Sequence, residues 1–225
     1  MDTLPESIAP LINDLHSSDE FVRAQASFAL GMLGEPAVAP LIELLKHAQR
    51  SVRMRAAWAL GVIGQPAVGA LLALADDPNP RFRVEAIRIL GVIGEGRTLS
   101  LLIAALTDAD VQIAQRAAIA LGRLGDPRAF HALQTALHHP AADVRYAACT
   151  ALALLHIGDV LPALRSLAEQ DLSSTSWGAS VGDAARRAAA EIAAAELTSY
   201  HEFAKIDQLL RRYPGDHPDE YEHKS

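Results

Sequence analysis

Within 225 residues the chain is 50% apolar but only 5% aromatic. It therefore has material for a continuous core, but one of small aliphatic side chains that suits closely packed helices and argues against a β-sandwich. Its formal net charge of -7 argues against a surface that tracks nucleic acid throughout, since such domains are basic overall. The one cysteine, Cys149, excludes an intramolecular disulfide and fits a reducing compartment.

The opening Met1-Asp2-Thr3-Leu4-Pro5-Glu6 lacks a positively charged start followed by an apolar stretch, so it reads as no signal peptide. No apolar run approaches the roughly 18 residues needed to span a bilayer. These features predict a soluble, cytoplasmic protein with no membrane partner.

From Val22 the sequence repeats. The segment Val22 to Gly34 returns as Val52 to Gly64, Phe82 to Gly94 and Ile113 to Gly125, and once more, degraded, from Val144. The marker leucines Leu30, Leu60, Leu90, Leu121 and Leu152 fall at intervals of 30, 30, 31 and 31, and a sixth copy centred on Ile192 follows after 40. A fixed period in this range marks a helical solenoid. Each unit reads as two helices. The second places Val22, Ala26, Ala29, Leu30 and Leu33 on one face of a 3.6-residue helix. The first opens on a proline, as at Pro36, Pro66 and Pro127, just after a glycine stop, which fits helix start and stop chemistry. The prediction is an all-α solenoid of about six antiparallel hairpins over residues 1–200.

Gly31, Gly61, Gly91 and Gly122 fall inside the second helices, where glycine costs about 1 kcal/mol against alanine. A repeated cost of this kind implies a neighbouring helix passing too close for a side chain. Repeat five has Ala153 at that place and its terminal glycine displaced to Gly158, which predicts a looser or longer helix there.

The pattern Val-Arg-x-x-Ala-x-x-Ala-Leu-Gly-x-(Ile/Leu)-Gly, with Asp a few residues ahead, resembles the short HEAT-like repeats of the phycobilisome lyase family over about residues 4–198. The resemblance implies the solenoid fold. The same repeat serves bilin lyases, their non-lyase homologues, deoxyhypusine hydroxylases and many scaffolds, so it does not choose among activities. Deoxyhypusine hydroxylases bind iron through several His-Glu pairs. Here the single such pair, His201-Glu202, lies outside the repeats.

In the last repeat the period is stretched by a polar Ser/Gly loop over residues 171–182 that carries Trp177. Trp177 reads either as a partner contact or lid, or as a plug folded over the solenoid end. Beyond it, His201 to Arg212 predicts a short capping helix, and Tyr213 to Ser225 a flexible polar tail.

Candidate chemistry is sparse. His217, Asp219, Glu220, Glu222 and His223 offer ligand atoms on a tail that nothing preorganises. His131, His138 and His139 read as solvated or as partners of a helix C-terminus. Cys149 aligns with Ser27, Ala57 and Ala118, a slot for small residues, which predicts a packed thiol. Arg23, Arg53, Arg83 and Arg145 recur beside Asp19, Asn79 and Asp143 and predict a structural ladder, each rung worth roughly 0 to 1 kcal/mol if exposed. No catalytic or metal residues and no resident cofactor are assigned.

The second helices' positions off the apolar stripe hold the candidate site. They carry Ala24, Gln25, Phe28 and Met32; Met54, Arg55, Trp58 and Val62; Val84, Glu85, Arg88 and Val92; Gln115, Arg116, Ile119 and Arg123; then Tyr146, Ala147, Thr150 and Leu154. In such solenoids this side is concave, and Phe, Trp, Tyr, Met and Arg together compose an interface rather than a solvated face. Residues 22–33, 52–63, 82–93, 113–124, 144–155 and 184–195 of the second helices hold ten arginines against two carboxylates, which favours an anionic partner with apolar area. The expected partner-binding set is Phe28, Met32, Met54, Arg55, Trp58, Arg88, Arg116, Arg123, Tyr146 and Trp177. The preferred function is a non-catalytic scaffold for an acidic protein segment. The family resemblance supplies an alternative, a bilin lyase-like protein handling a linear tetrapyrrole or a phycobiliprotein. Nucleic acid is disfavoured by the net charge and scarcity of lysine.

Overall fold

The computed structural model describes the backbone of residues 8–212 and the side chains of residues 8–201. Twelve α-helices pair into six hairpins: α1 (Ile8–Asp14) with α2 (Glu20–Leu33), α3 (Val38–Leu44) with α4 (Arg50–Ile63), and α5 (Val68–Ala75) with α6 (Pro80–Ile93). They continue as α7 (Leu99–Ala105) with α8 (Val111–Leu124), α9 (Phe130–Ala136) with α10 (Ala142–Leu155), and α11 (Leu161–Gln170) with α12 (Val181–Arg212). The glycine and proline between hairpins do not open the α-helix directly. They make a 3-10 turn first, as in Glu35–Ala37 and Gln65–Ala67, with the proline inside it.

The marker residues are the core. Leu30, Leu60, Leu90, Leu121, Leu152 and Ile192 are fully buried, and Leu41, Leu71, Leu133 and Leu164 meet them from the first helices. Successive second helices stack in order from α2 to α12, while first helices pack mainly on their own partners. A layer whose helices are closer together lies on the inside of the curve, so the second helices form the concave side.

The internal glycines set that spacing at three of four positions. A Cβ on Gly91 would meet the Ala120 Cβ at 2.6 Å, one on Gly122 the Ala151 Cα at 2.7 Å, and one on Gly31 the Val62 Cγ1 at 2.8 Å. Gly61 is the exception, with its nearest neighbour, a Val92 methyl, at 3.6 Å, an ordinary contact. Its glycine is not required by packing.

Two expectations for the C-terminal third are corrected. Helix α10 is neither longer nor looser than its counterparts. It has the same 14 residues, because His156 takes the left-handed cap at φ 51° where the other repeats use glycine, a conformation histidine tolerates better than most residues. Nor does a separate capping helix begin at His201: α12 runs unbroken for 32 residues through that point. From Glu196 to His201 its side chains are all exposed, as expected of a helix extending past the 14-residue stack. The tail from Tyr213 lies outside the described residues.

No single helix among the described residues is long and apolar enough to cross a membrane.

Candidate functional site

The ten arginines within the repeating segments of the second helices divide by what they touch. Arg23, Arg53, Arg83 and Arg145 each turn back along their own hairpin, and Nη1 of each donates to two consecutive carbonyls in the turn between the helices. For Arg53 these are His47 O at 2.9 Å and Ala48 O at 2.6 Å, and the other three repeat the bond pair five and six residues back. The structural role holds, but the expected acidic neighbours are corrected. Asp19 and Asn79 cap their own helices by accepting from Phe21 and Arg81 N–H groups, and Asp143 accepts from Ser176. The carboxylates these arginines do reach belong to the following hairpin, Asp108 for Arg83 and Asp171 for Arg145.

Three further arginines are paired. Arg55 reaches Glu20 on α2 at 3.3 Å, Arg88 lies 2.6 Å from Glu85, and Arg186 bonds Asp183. Arg116 and Arg123 are exposed on α8 with no carboxylate within ion-pair distance among the described residues. Arg187 donates to the Tyr146 hydroxyl at 3.2 Å. Arg50 on α4 and Arg81 on α6 are likewise exposed with no carboxylate within ion-pair distance among the described residues, so unpaired positive charge is spread along the second helices from α4 to α12.

Two depressions receive the remaining candidates. The larger, with a volume of about 640 Å³, runs from α4 to α8 and brings Met54, Trp58, Arg88 and Arg116 together. Its floor includes Gly61, Val62 and Val92, and Arg50 stands at its edge. Met54, Trp58, Val62 and Val92 are all exposed there, an apolar strip that the described residues leave open. Phe28 continues it onto α2, with its ring centroid 6.4 Å from that of Trp58; Met32, also on α2, is exposed. Arg55 is not part of this groove, being engaged with Glu20. Arg50 was not among the expected residues because it sits ahead of the repeating segment.

The smaller depression, about 290 Å³, lies between α8, α10 and the 171–182 loop and brings Arg123, Tyr146 and Trp177 together. Trp177 stands edge-on to Tyr146, centroids 5.6 Å apart at 82°, and is 52% exposed. It is thus a wall of the concave face, neither a plug in the solenoid end nor a tip on a free loop. The loop is tied at several points. Ser176 donates twice to Asp143, from its amide at 2.6 Å and its hydroxyl at 2.8 Å. The buried Thr175 hydroxyl accepts from the Ala179 amide, and Arg145 closes on Asp171 and Ser173.

Of the remaining nucleophile and ligand candidates, Cys149 and His139 have structural roles. Cys149 is wholly buried, and burial, with the nearby Asp171 carboxylate, pushes its thiol up to about 12; such a thiol holds almost no thiolate at neutral pH. His139 and His47 accept, through Nδ1, from the amide two residues ahead, the bond that Asp77 and Asp108 make in their own turns. Among the described residues no group of three His, Cys, Asp or Glu side chains could hold a metal ion.

The pattern of the HEAT repeats matches residues 8–75 and again 68–153. The chain belongs to the HEAT-repeat family. Among solved structures, the complex of CpcE and CpcF of phycocyanin lyase from a Nostoc species is 26% identical, with 71% of this chain and 98% of that chain covered at a TM-score of 0.57. A designed armadillo repeat protein in complex with the peptide (KR)4 is 20% identical, with 83% and 100% covered and a TM-score of 0.52. An engineered protein from a structural genomics programme is 21% identical, with 84% and 98% covered at 0.50. These last two share the fold of stacked HEAT-like hairpins. No curated protein matches the sequence.

Proposed function

We propose that this HEAT-repeat solenoid is a non-catalytic scaffold that holds an acidic, apolar-bearing segment of a protein partner along its inner face. The observation that carries this reading is the groove from α4 to α8, where Trp58, Met54, Val62 and Val92 lie exposed beside Arg116. An aromatic and aliphatic strip flanked by guanidinium groups offers burial to apolar side chains and charge complementarity to carboxylates. The designed armadillo solenoid is in complex with a basic peptide; a face of the opposite sign suits an acidic one. Because Arg55 and Arg88 already have carboxylates, Arg116 and Arg50 carry the attraction in this groove.

The test is binding of a fluorescein-labelled octapeptide alternating glutamate and leucine, followed by anisotropy at two salt concentrations. The charge reversal Arg116→Glu with Arg50→Glu is expected to weaken binding at least tenfold and flatten the salt dependence. Binding that the reversal leaves unchanged removes this assignment of the face.

A second reading rests on the likeness to the phycocyanin lyase complex across most of the chain. In it the chain is a bilin lyase-like protein. The propionates of a linear tetrapyrrole pair with Arg116, its rings lie on Trp58, and a phycobiliprotein is the partner. Titration with phycocyanobilin tests it: a red-shifted, intensified absorbance supports it and a flat titration eliminates it.

A further inference from the structure

We infer that the slot lined by Ile119, Leu154, Tyr146 and Trp177 is a second anchoring pocket, which takes one aromatic side chain of an acidic partner segment while neighbouring carboxylates of that segment pair with Arg123 and Arg187. This deepens the scaffold reading and rests on it, but it assigns a separate site with its own occupant.

Size argues first. At about 290 Å³ the slot lies at the lower limit of cavities that hold whole ligands, about 300–1,000 Å³. It accommodates one large side chain, not a four-ring chain. Chemistry argues next. Ile119, Tyr146, Leu154 and Trp177 give it apolar walls, and the Thr150 hydroxyl is engaged with the Tyr146 carbonyl of its own helix at 3.1 Å. Gln115 and Arg123 are the other polar side chains lining it, so the interior is mainly apolar, and its two rings offer an aromatic guest favourable packing. Charge supplies the specificity. Arg123 borders the slot without a carboxylate partner among the described residues, and Arg187 stands at the Tyr146 hydroxyl. Carboxylates on either side of the inserted ring match these two cations.

Preorganisation separates this slot from an accidental hollow. The 171–182 loop keeps Trp177 half-exposed on the concave face while Asp143, Thr175 and the Arg145–Asp171 pair tie down the backbone on both sides of it. A rigid aromatic wall loses little conformational entropy when a guest arrives, which is where affinity is gained.

The experiment uses the full chain and two labelled pentapeptides, four glutamates around a central phenylalanine or around a central alanine, with phenylacetate as a free competitor. The phenylalanine peptide is expected to bind at least tenfold more tightly. Thr150→Phe, at an exposed position, fills the slot and is expected to erase that preference with circular dichroism unchanged; Arg123→Glu is expected to weaken both peptides. A preference that survives Thr150→Phe overturns the inference, as does phenylacetate competing as well as the peptide. If neither pentapeptide binds while the alternating octapeptide still binds through Arg116, the pocket falls and the groove reading stands; if no peptide binds, both fall.

Discussion

Arg145 holds the Asp171 carboxylate by both oxygens, Nε at 2.7 Å from one and Nη2 at 3.3 Å from the other, while its Nη1 clasps the His139 and Pro140 carbonyls. One guanidinium therefore joins the turn of hairpin five to the start of the Trp177 loop. Both partners are largely shielded from water, so removing the acid leaves a guanidinium without its counter-charge. Asp171→Asn is expected to cost about 2 kcal/mol, the range for a hydrogen bond to a charged group. In a solenoid each repeat touches only its neighbours, so the loss falls on the last two hairpins. With Trp58 replaced by Phe, emission reports Trp177 alone; its acrylamide quenching is expected to rise and its urea midpoint to fall, and an unchanged profile refutes the clasp.

Acid is expected to act through the same carboxylate. Burial by itself works to raise the Asp171 value, but the Arg145 hydrogen bonds and those from Ser173 outweigh it and hold the group below the usual carboxylate range. A group depressed on folding contributes stability that is present above its unfolded value, about 3.9, and is lost as pH falls through the lower folded value. Trp177 emission is thus expected to stay constant from pH 7 to about 4 and to shift only below that. In Asp171→Asn the same titration should lack this acid component; its persistence would assign the transition to another carboxylate.

How much of this was legible varies with the range of the interaction. The hairpins, the core leucines and the concave position of Trp58, Arg88 and Arg116 follow from a period of about 30, because stacking carries each register position onto the same face. The Glu85–Arg88 pair is also legible, since three residues on a helix bring two side chains together. The clasping bonds of Arg53 and its counterparts are not, because they end on backbone carbonyls that carry no residue-type signal. A trace does exist: Ser17, His47, Asp77 and His139, each six residues before a clasping arginine, all accept from the amide two residues ahead. Trp177, which reaches Tyr146, lies in the insertion outside the repeating register, and Arg187 reaches the same Tyr146 across the one period that the insertion stretches. Only the folded loop and α12 reveal them.

The Cys149 thiol, at about 12 and without exposed surface, is expected to resist Ellman's reagent at pH 8. Its thiolate fraction there is about one in ten thousand, against roughly a quarter for a free cysteine. Reaction is expected only after urea unfolds hairpin five. Rapid labelling of the native protein would mean that α10 opens locally.

Two glycine substitutions with the same local chemistry are expected to act in opposite directions. At either Gly61 or Gly91, alanine gains about 1 kcal/mol of helix propensity. At Gly61 the new Cβ has only the Val92 methyl, 3.6 Å away, so the gain is kept and stability rises by about 0.5–1 kcal/mol. At Gly91 the Cβ would stand 2.6 Å from the Ala120 Cβ and 3.1 Å from its Cα, atoms that move only if α6 and α8 separate. Overpacking of that kind costs about 1–3 kcal/mol, enough to cancel or reverse the gain, so Gly91→Ala is expected to lower the urea midpoint while Gly61→Ala raises it. If both variants were stabilised equally, the close approach of α6 and α8 at Gly91 would be refuted, and with it the spacing that makes this side of the solenoid concave.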